Sequence, residues 1–116
     1  METMRTEVQW RDGTPGAITN TPSIHDPSGQ RQIWFVDLIA ECKGTRVPVG
    51  LRIPFSAWDQ LSGDDPQKFS AVSQALVEWA SHANPADVTG ELFLDAFWDG
   101  SQLRIDRWSW LYRESR

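Results

Sequence analysis

The sequence predicts an α+β fold: an antiparallel sheet of about five strands with one main helix packed on one face. Two ribbons of alternating apolar residues, centred on Lys43-Gly44 and Asp99-Gly100, supply most of the sheet. Between them, residues 66–83 carry apolar side chains at helical spacing. The length of 116 residues suits one domain over residues 1–116, in which roughly two-thirds of the unfolded chain's surface can be buried.

The first expected strand is short, Glu7 to Arg11, with Val8 and Trp10 on one side. The following segment, Asp12 to Gln30, holds Gly13, Pro15, Gly16, Pro22, Pro27 and Gly29 and has almost no apolar periodicity. It reads as a long loop, either a functional element or a plain connection, because structureless loops beyond about 12–15 residues are uncommon.

The hairpin over residues 32–53 has a register that can be written down. A two-residue turn at Lys43-Gly44 sets Cys42 opposite Thr45, Glu41 opposite Arg46, Ala40 opposite Val47, Leu38 opposite Val49, Val36 opposite Leu51 and Trp34 opposite Ile53. Every second pair is then apolar, and the other face takes Glu41 with Arg46 and Phe35 with Arg52. Pro48, facing Ile39, marks residues 45–53 as an edge strand because proline cannot donate to a ladder.

Ser56 followed by Asp59 reads as the start of one helical turn ending near Leu61 and anchored by Phe55 and Trp58. The main helix is expected over residues 66–83, capped by Asp65, opened by Pro66 and stopped by Asn84-Pro85. Phe69, Val72, Leu76, Trp79, Ala80 and Ala83 form its apolar stripe. In the second hairpin, a tight Asp99-Gly100 turn pairs Trp98 with Ser101, Ala96 with Leu103, and Asp95 with Arg104.

The last stretch is aromatic. In an extended strand Trp108, Trp110 and Tyr112 project from one face near Arg107, and Trp108 shares that face with Phe93, Asp95 and Phe97. Trp, Tyr and Arg are enriched at interface hot spots, so these residues are the candidate partner-binding set. The face is either covered by a second element, such as the loop at residues 12–30, or left as a binding or dimerisation surface.

Charge narrows the partners. The net charge is -5, and residues 53–103 carry eight acids against Lys68 alone. Phosphate backbones bind through Lys and Arg, so direct nucleic-acid binding is not expected. The acid excess reads either as ordinary solubility or as a docking face for a basic partner. Cys42 is the single cysteine, no Cys/His spacing fits zinc, no apolar run approaches the roughly 20 residues of a membrane span, and the first residues lack a secretory pattern. The expectation is a cytoplasmic protein without cofactor, metal site or membrane contact.

The catalytic inventory is thin. Ser23, His25 and Asp26 are triad residue types, but neighbours within one turn point in divergent directions. His82 ends the helix, where the dipole favours a partial positive charge; Cys42 belongs to a dry strand face; Asp64 and Asp65 lack the other ligands of a calcium loop. No enzyme is expected.

In element order the chain resembles a small bacterial family, domain of unknown function 1488. The resemblance rests on His25-Asp26-Pro27, Arg31, the strand Ile33-Trp34-Phe35, a second strand through Val47 to Ile53, and the helix around Ala75 to Ala80. These span about half the chain, and the terminal hairpin with its tryptophans departs from the pattern. The resemblance implies a sheet-plus-helix fold and no activity, because the role of that family is unassigned.

Small size, an acidic middle, an aromatic terminus and no catalytic kit together lead to an expectation of protein recognition. The chain reads as an interaction module, such as an inhibitor or neutraliser of another macromolecule of the immunity or anti-defence type. The alternatives are a homo-oligomeric structural or accessory protein, with a homodimer built through the same aromatics, and a small enzyme using the loop at residues 12–30.

Overall fold

Six strands form one sheet in sequence order in the computed structural model, which describes residues 4–20, 25, 26, 29, 32–88 and 93–107. They are β1 (Met4–Gln9), β2 (Pro15–Asn20), β3 (Ile33–Cys42), β4 (Thr45–Pro54), β5 (Phe93–Trp98) and β6 (Leu103–Arg107). Two helices, α1 (Phe55–Gln60) and α2 (Asp65–His82), and the 3-10 turn Pro85–Asp87 connect β4 to β5. That connection brings the chain back before it re-enters the sheet, so β5 runs parallel to β4 while every other neighbouring pair is antiparallel. The fold is α+β, but its sheet is mixed and six-stranded rather than antiparallel and five-stranded.

The additional strand is β2, which lies within the segment expected to be a long loop. Pro15 is tolerated because it is the first residue of the strand. Gly16 is required by packing: a Cβ there would overlap both the Trp10 indole and the Glu41 carbonyl. Those two groups are themselves joined, Trp10 Nε1 donating to the Glu41 oxygen at 3.2 Å. A proline and a glycine thus start a strand where their composition suggests a loop. The first strand begins and ends earlier than expected, although Val8 and Trp10 are both buried.

The β3–β4 register matches every pair expected from the sequence, from Trp34–Ile53 to Cys42–Thr45, and continues one pair further to Ile33–Pro54. Lys43 and Gly44 both have positive φ, 51° and 81°, as a tight hairpin turn requires. Pro48 lies where β4 has only β3 beside it, but Gly50, Leu51 and Arg52 also pair with β5. β4 is therefore an edge only in its first half, and the sheet's outer strands are β1 and β6.

In the second hairpin Trp98 pairs with Leu103, Ala96 with Ile105 and Asp95 with Asp106, a two-residue shift from the tight-turn expectation. The cause is the Asp99 carboxylate, which accepts from the Ser101 and Gln102 backbone N–H groups at 2.9 Å each and widens the loop to residues 99–102. An even shift preserves side-chain parity, so the apolar face is unchanged.

Helix α2 starts at Asp65, the expected cap, and its actual cap is Asp64, one residue earlier. Asp64 accepts from the Gln67 N–H while the Gln67 side chain accepts from the Asp64 N–H, a reciprocal capping box. Ser56 does not cap α1, which follows Pro54 without a side-chain cap. Helix α2 packs against both β1 and β6, so the sheet curls around it. Phe69, Val72, Leu76, Trp79 and Ala80 meet Val36, Leu51, Ile53 and Leu94 in a continuous core. Trp10 stands edge-on to Trp79 with centroids 5.7 Å apart, and Trp58 stands edge-on to Phe69 at 5.4 Å. No helix among the described residues is long and apolar enough to cross a membrane.

Gly16→Ala should lower unfolding free energy by about 2–3 kcal/mol, combining overpacking with loss of the Trp10 hydrogen bond. Asp64→Ala should cost about 1 kcal/mol through the cap alone. Urea titrations check both, and a Gly16→Ala protein as stable as the wild type would contradict the close approach.

Candidate functional site

The side of the sheet facing away from α2 is built by strand parity. Residues 35, 37 and 39 on β3, 50 and 52 on β4, and 93, 95 and 97 on β5 alternate with core residues and project to this side. Phe93 and Phe97 are 44% and 43% exposed, and Ile39 is 37% exposed. On the helix side of the same strands, Leu51, Leu94 and Ala96 are essentially closed to solvent.

The strand register arranges these side chains in rows. Asp37, Gly50 and Phe93 form one row across β3, β4 and β5; Phe35, Arg52 and Asp95 form the next. The Phe93 ring lies so close over Gly50 that a Cβ at position 50 would overlap it. In the neighbouring row Arg52 grips Asp95 with two parallel hydrogen bonds, Nε to Oδ1 at 2.9 Å and a terminal nitrogen to Oδ2 at 3.0 Å. The Arg52 guanidinium also sits 5.8 Å from the Phe93 ring centroid, within cation–π range. Beyond β3, His25 exchanges two backbone hydrogen bonds with Phe35 and stacks on its ring at 6.1 Å.

Asp95 was expected opposite Arg104, but its cross-strand neighbour on β6 is Asp106. Arg52, brought alongside by the parallel pairing, supplies the cation instead. Arg104 pairs with Glu78 on α2 and reaches Asp99 at 3.9 Å. Burial raises the Asp95 carboxyl above the usual carboxylate range, and Arg52 opposes that rise without cancelling it. Asp12 and Asp99 go the other way: hydrogen bonds from Thr14 hold Asp12 low, and the Ser101 and Gln102 N–H groups hold Asp99 low.

Of the expected partner-binding residues, Phe93 and Phe97 are on this surface. Arg107 closes β6 with its backbone opposite Leu94. Trp108, Trp110 and Tyr112 lie outside the described residues, as does Ser23. Sequence reading missed the association of Arg52 with Asp95 and Phe93, which depends on the parallel pairing. A glycine inside a strand, Gly50, was the available signal, since such glycines mark close approach by another group. Cys42 is buried, and burial raises its thiol above the usual range, consistent with a packing role. Among the described residues no group of three or more His, Cys, Asp or Glu could hold a metal ion.

The geometry provides a partly aromatic surface that includes the Arg52–Asp95 pair, with no assembled nucleophile and base among the described residues. Compared with protein-family models, with curated proteins and with solved structures, the chain matches none.

The raised Asp95 value has a signed consequence. Its site favours the protonated acid, so that contribution to stability is full below the ordinary Asp range and is lost as pH rises through the folded value. Arg52→Met should push Asp95 further up and destabilise the fold by about 2 kcal/mol at neutral pH. The deficit should shrink on acidification, where Asp95 is protonated in both proteins. Denaturation at several pH values, with carboxyl-carbon NMR on Asp95, measures this; a deficit independent of pH would refute it.

Proposed function

We propose that this chain acts by protein recognition, through the side of the sheet that carries Phe93 and Phe97. The observation carrying the reading is that two phenyl rings, each more than two-fifths exposed, stand on one strand above a packed layer that fixes that strand. Exposed apolar groups gathered in one patch mark interaction surfaces more often than scattered ones do. Phe93 is braced by Gly50 and by Arg52, so little rotamer freedom remains to be lost when a partner covers it.

The partner is another protein, with an apolar patch for the two rings and basic groups around it. Asp37 is exposed in the same row as Phe93, and the chain as a whole is acidic. That balance favours a basic protein surface and disfavours nucleic acid, whose phosphates need cations. A module of this kind suits an inhibitor or neutraliser, because covering a partner's surface requires no chemistry of its own. Trp108, Trp110 and Tyr112 extend the proposed surface on sequence grounds, whereas Arg107 stands at the register position of Leu94, on the helix side.

The test is quantitative capture from the source cell by the intact protein and by a Phe93→Ala/Phe97→Ala variant, followed by affinity measurement on the identified partner. The variant should keep its circular dichroism and lose at least about 30-fold in affinity, corresponding to roughly 2 kcal/mol for hot-spot side chains. Equal affinity would remove this face from the function. A dimer mass for the intact protein that falls to monomer in the variant would establish the homo-oligomer reading instead.

A further inference from the structure

A second site lies on the other side of the sheet and is independent of the recognition surface. Helix α2 presents Ala71, Gln74, Ala75 and Glu78 toward the β5–β6 hairpin, at positions i, i+3, i+4 and i+7. Alanine at 71 and 75 leaves a hollow of about 250 Å³ between helix and hairpin. Trp98, at the rim of the core, forms one wall, and Leu61 and Leu103 contribute apolar surface.

The polar groups around the hollow are solvent-exposed and, apart from Glu78, uncharged. Gln60, Gln74 and Gln102 contribute three carboxamides and Ser62 a hydroxyl, and none of these side chains hydrogen-bonds to another residue among those described. The Trp98 indole N–H is likewise unengaged there, and Trp98 has no stacked ring among the described residues. The one carboxylate lining the site among the described residues, Glu78, is already paired with Arg104.

We infer that this hollow binds a single neutral pyranose ring. Each sugar hydroxyl both donates and accepts, and so does each carboxamide, so three Gln side chains can match neighbouring hydroxyls in either sense. An indole beside apolar walls suits the C–H face of a pyranose, leaving the hydroxyl edges to the amides. The volume falls below the roughly 300–1,000 Å³ of pockets for drug-sized ligands, which limits the occupant to about one ring. A charged ligand gains nothing here: among the described residues no cation lines the hollow, and Glu78 is already held by Arg104.

Titration of the full chain with D-glucose, D-galactose and N-acetyl-D-glucosamine, followed by nitrogen–proton NMR, tests the site. At least one sugar should shift the Trp98 indole signal and the Gln74 and Gln102 side-chain amides saturably, with Kd on the order of 1 mM. Gln74→Ala, a change on an exposed helix position, should weaken binding about fivefold or more, and Trp98→Ala should abolish it. Adenine, which can also stack on an indole, serves as the competing class. Shifts from adenine and none from the sugars would overturn the inference, as would no saturable shift from any sugar, or sugar binding unchanged in Gln74→Ala.

Discussion

Three residue pairs join the two parts of the sheet. Gly50, Leu51 and Arg52 of β4 lie beside Phe93, Leu94 and Asp95 of β5, and without that parallel contact the six strands would form a meander and a hairpin linked only through the helix layer. The contact works on both faces. Leu51 and Leu94 meet the helix layer with no exposed surface, while Arg52 meets Asp95 and Gly50 admits the Phe93 ring on the opposite side. The element that closes the core is therefore the element that assembles the outer surface.

The legibility of the sequence follows from how local each feature is. The β3–β4 hairpin could be written pair by pair because its turn and its alternation agree, and a one-residue slip would have placed Val36, Leu38 and Leu51 in water. The main helix was legible for the same reason, with only its cap displaced from Asp65 to Asp64. β2 was hidden because Pro15 and Gly16 carry loop composition into a strand whose glycine answers to Trp10, a partner found only in three dimensions. The second hairpin failed by two residues because the Asp99 side chain competes with the tight turn, yet its faces survived because the error was even.

The outer surface of the sheet was half legible. Phe93 and Phe97 follow from parity within one hairpin. Arg52 does not, because its partner comes from a strand beyond two helices, and no local pattern predicts which ribbon will lie beside which. The sequence reading gave Arg52 to Phe35 and Asp95 to Arg104; the first is met across β3, and the second is replaced. Tryptophan use also separates the two sides. Trp10, Trp34, Trp58 and Trp79 pack in or against the core, whereas the exposed rings of β5 are phenyls.

The sheet's strand order has a kinetic meaning. β1 to β4 join neighbours along the chain, and such short-range pairings close small loops at low entropic cost. Joining Gly50 to Phe93 closes a loop that contains both helices, and non-local pairing of that kind slows assembly. The arginine clasp and the bracing of Phe93 therefore depend on a longer loop closure than any pairing within the meander. Without that pairing neither the Arg52–Asp95 pair nor the contact of Phe93 with Gly50 can form, so the outer surface is complete only in the fully folded chain.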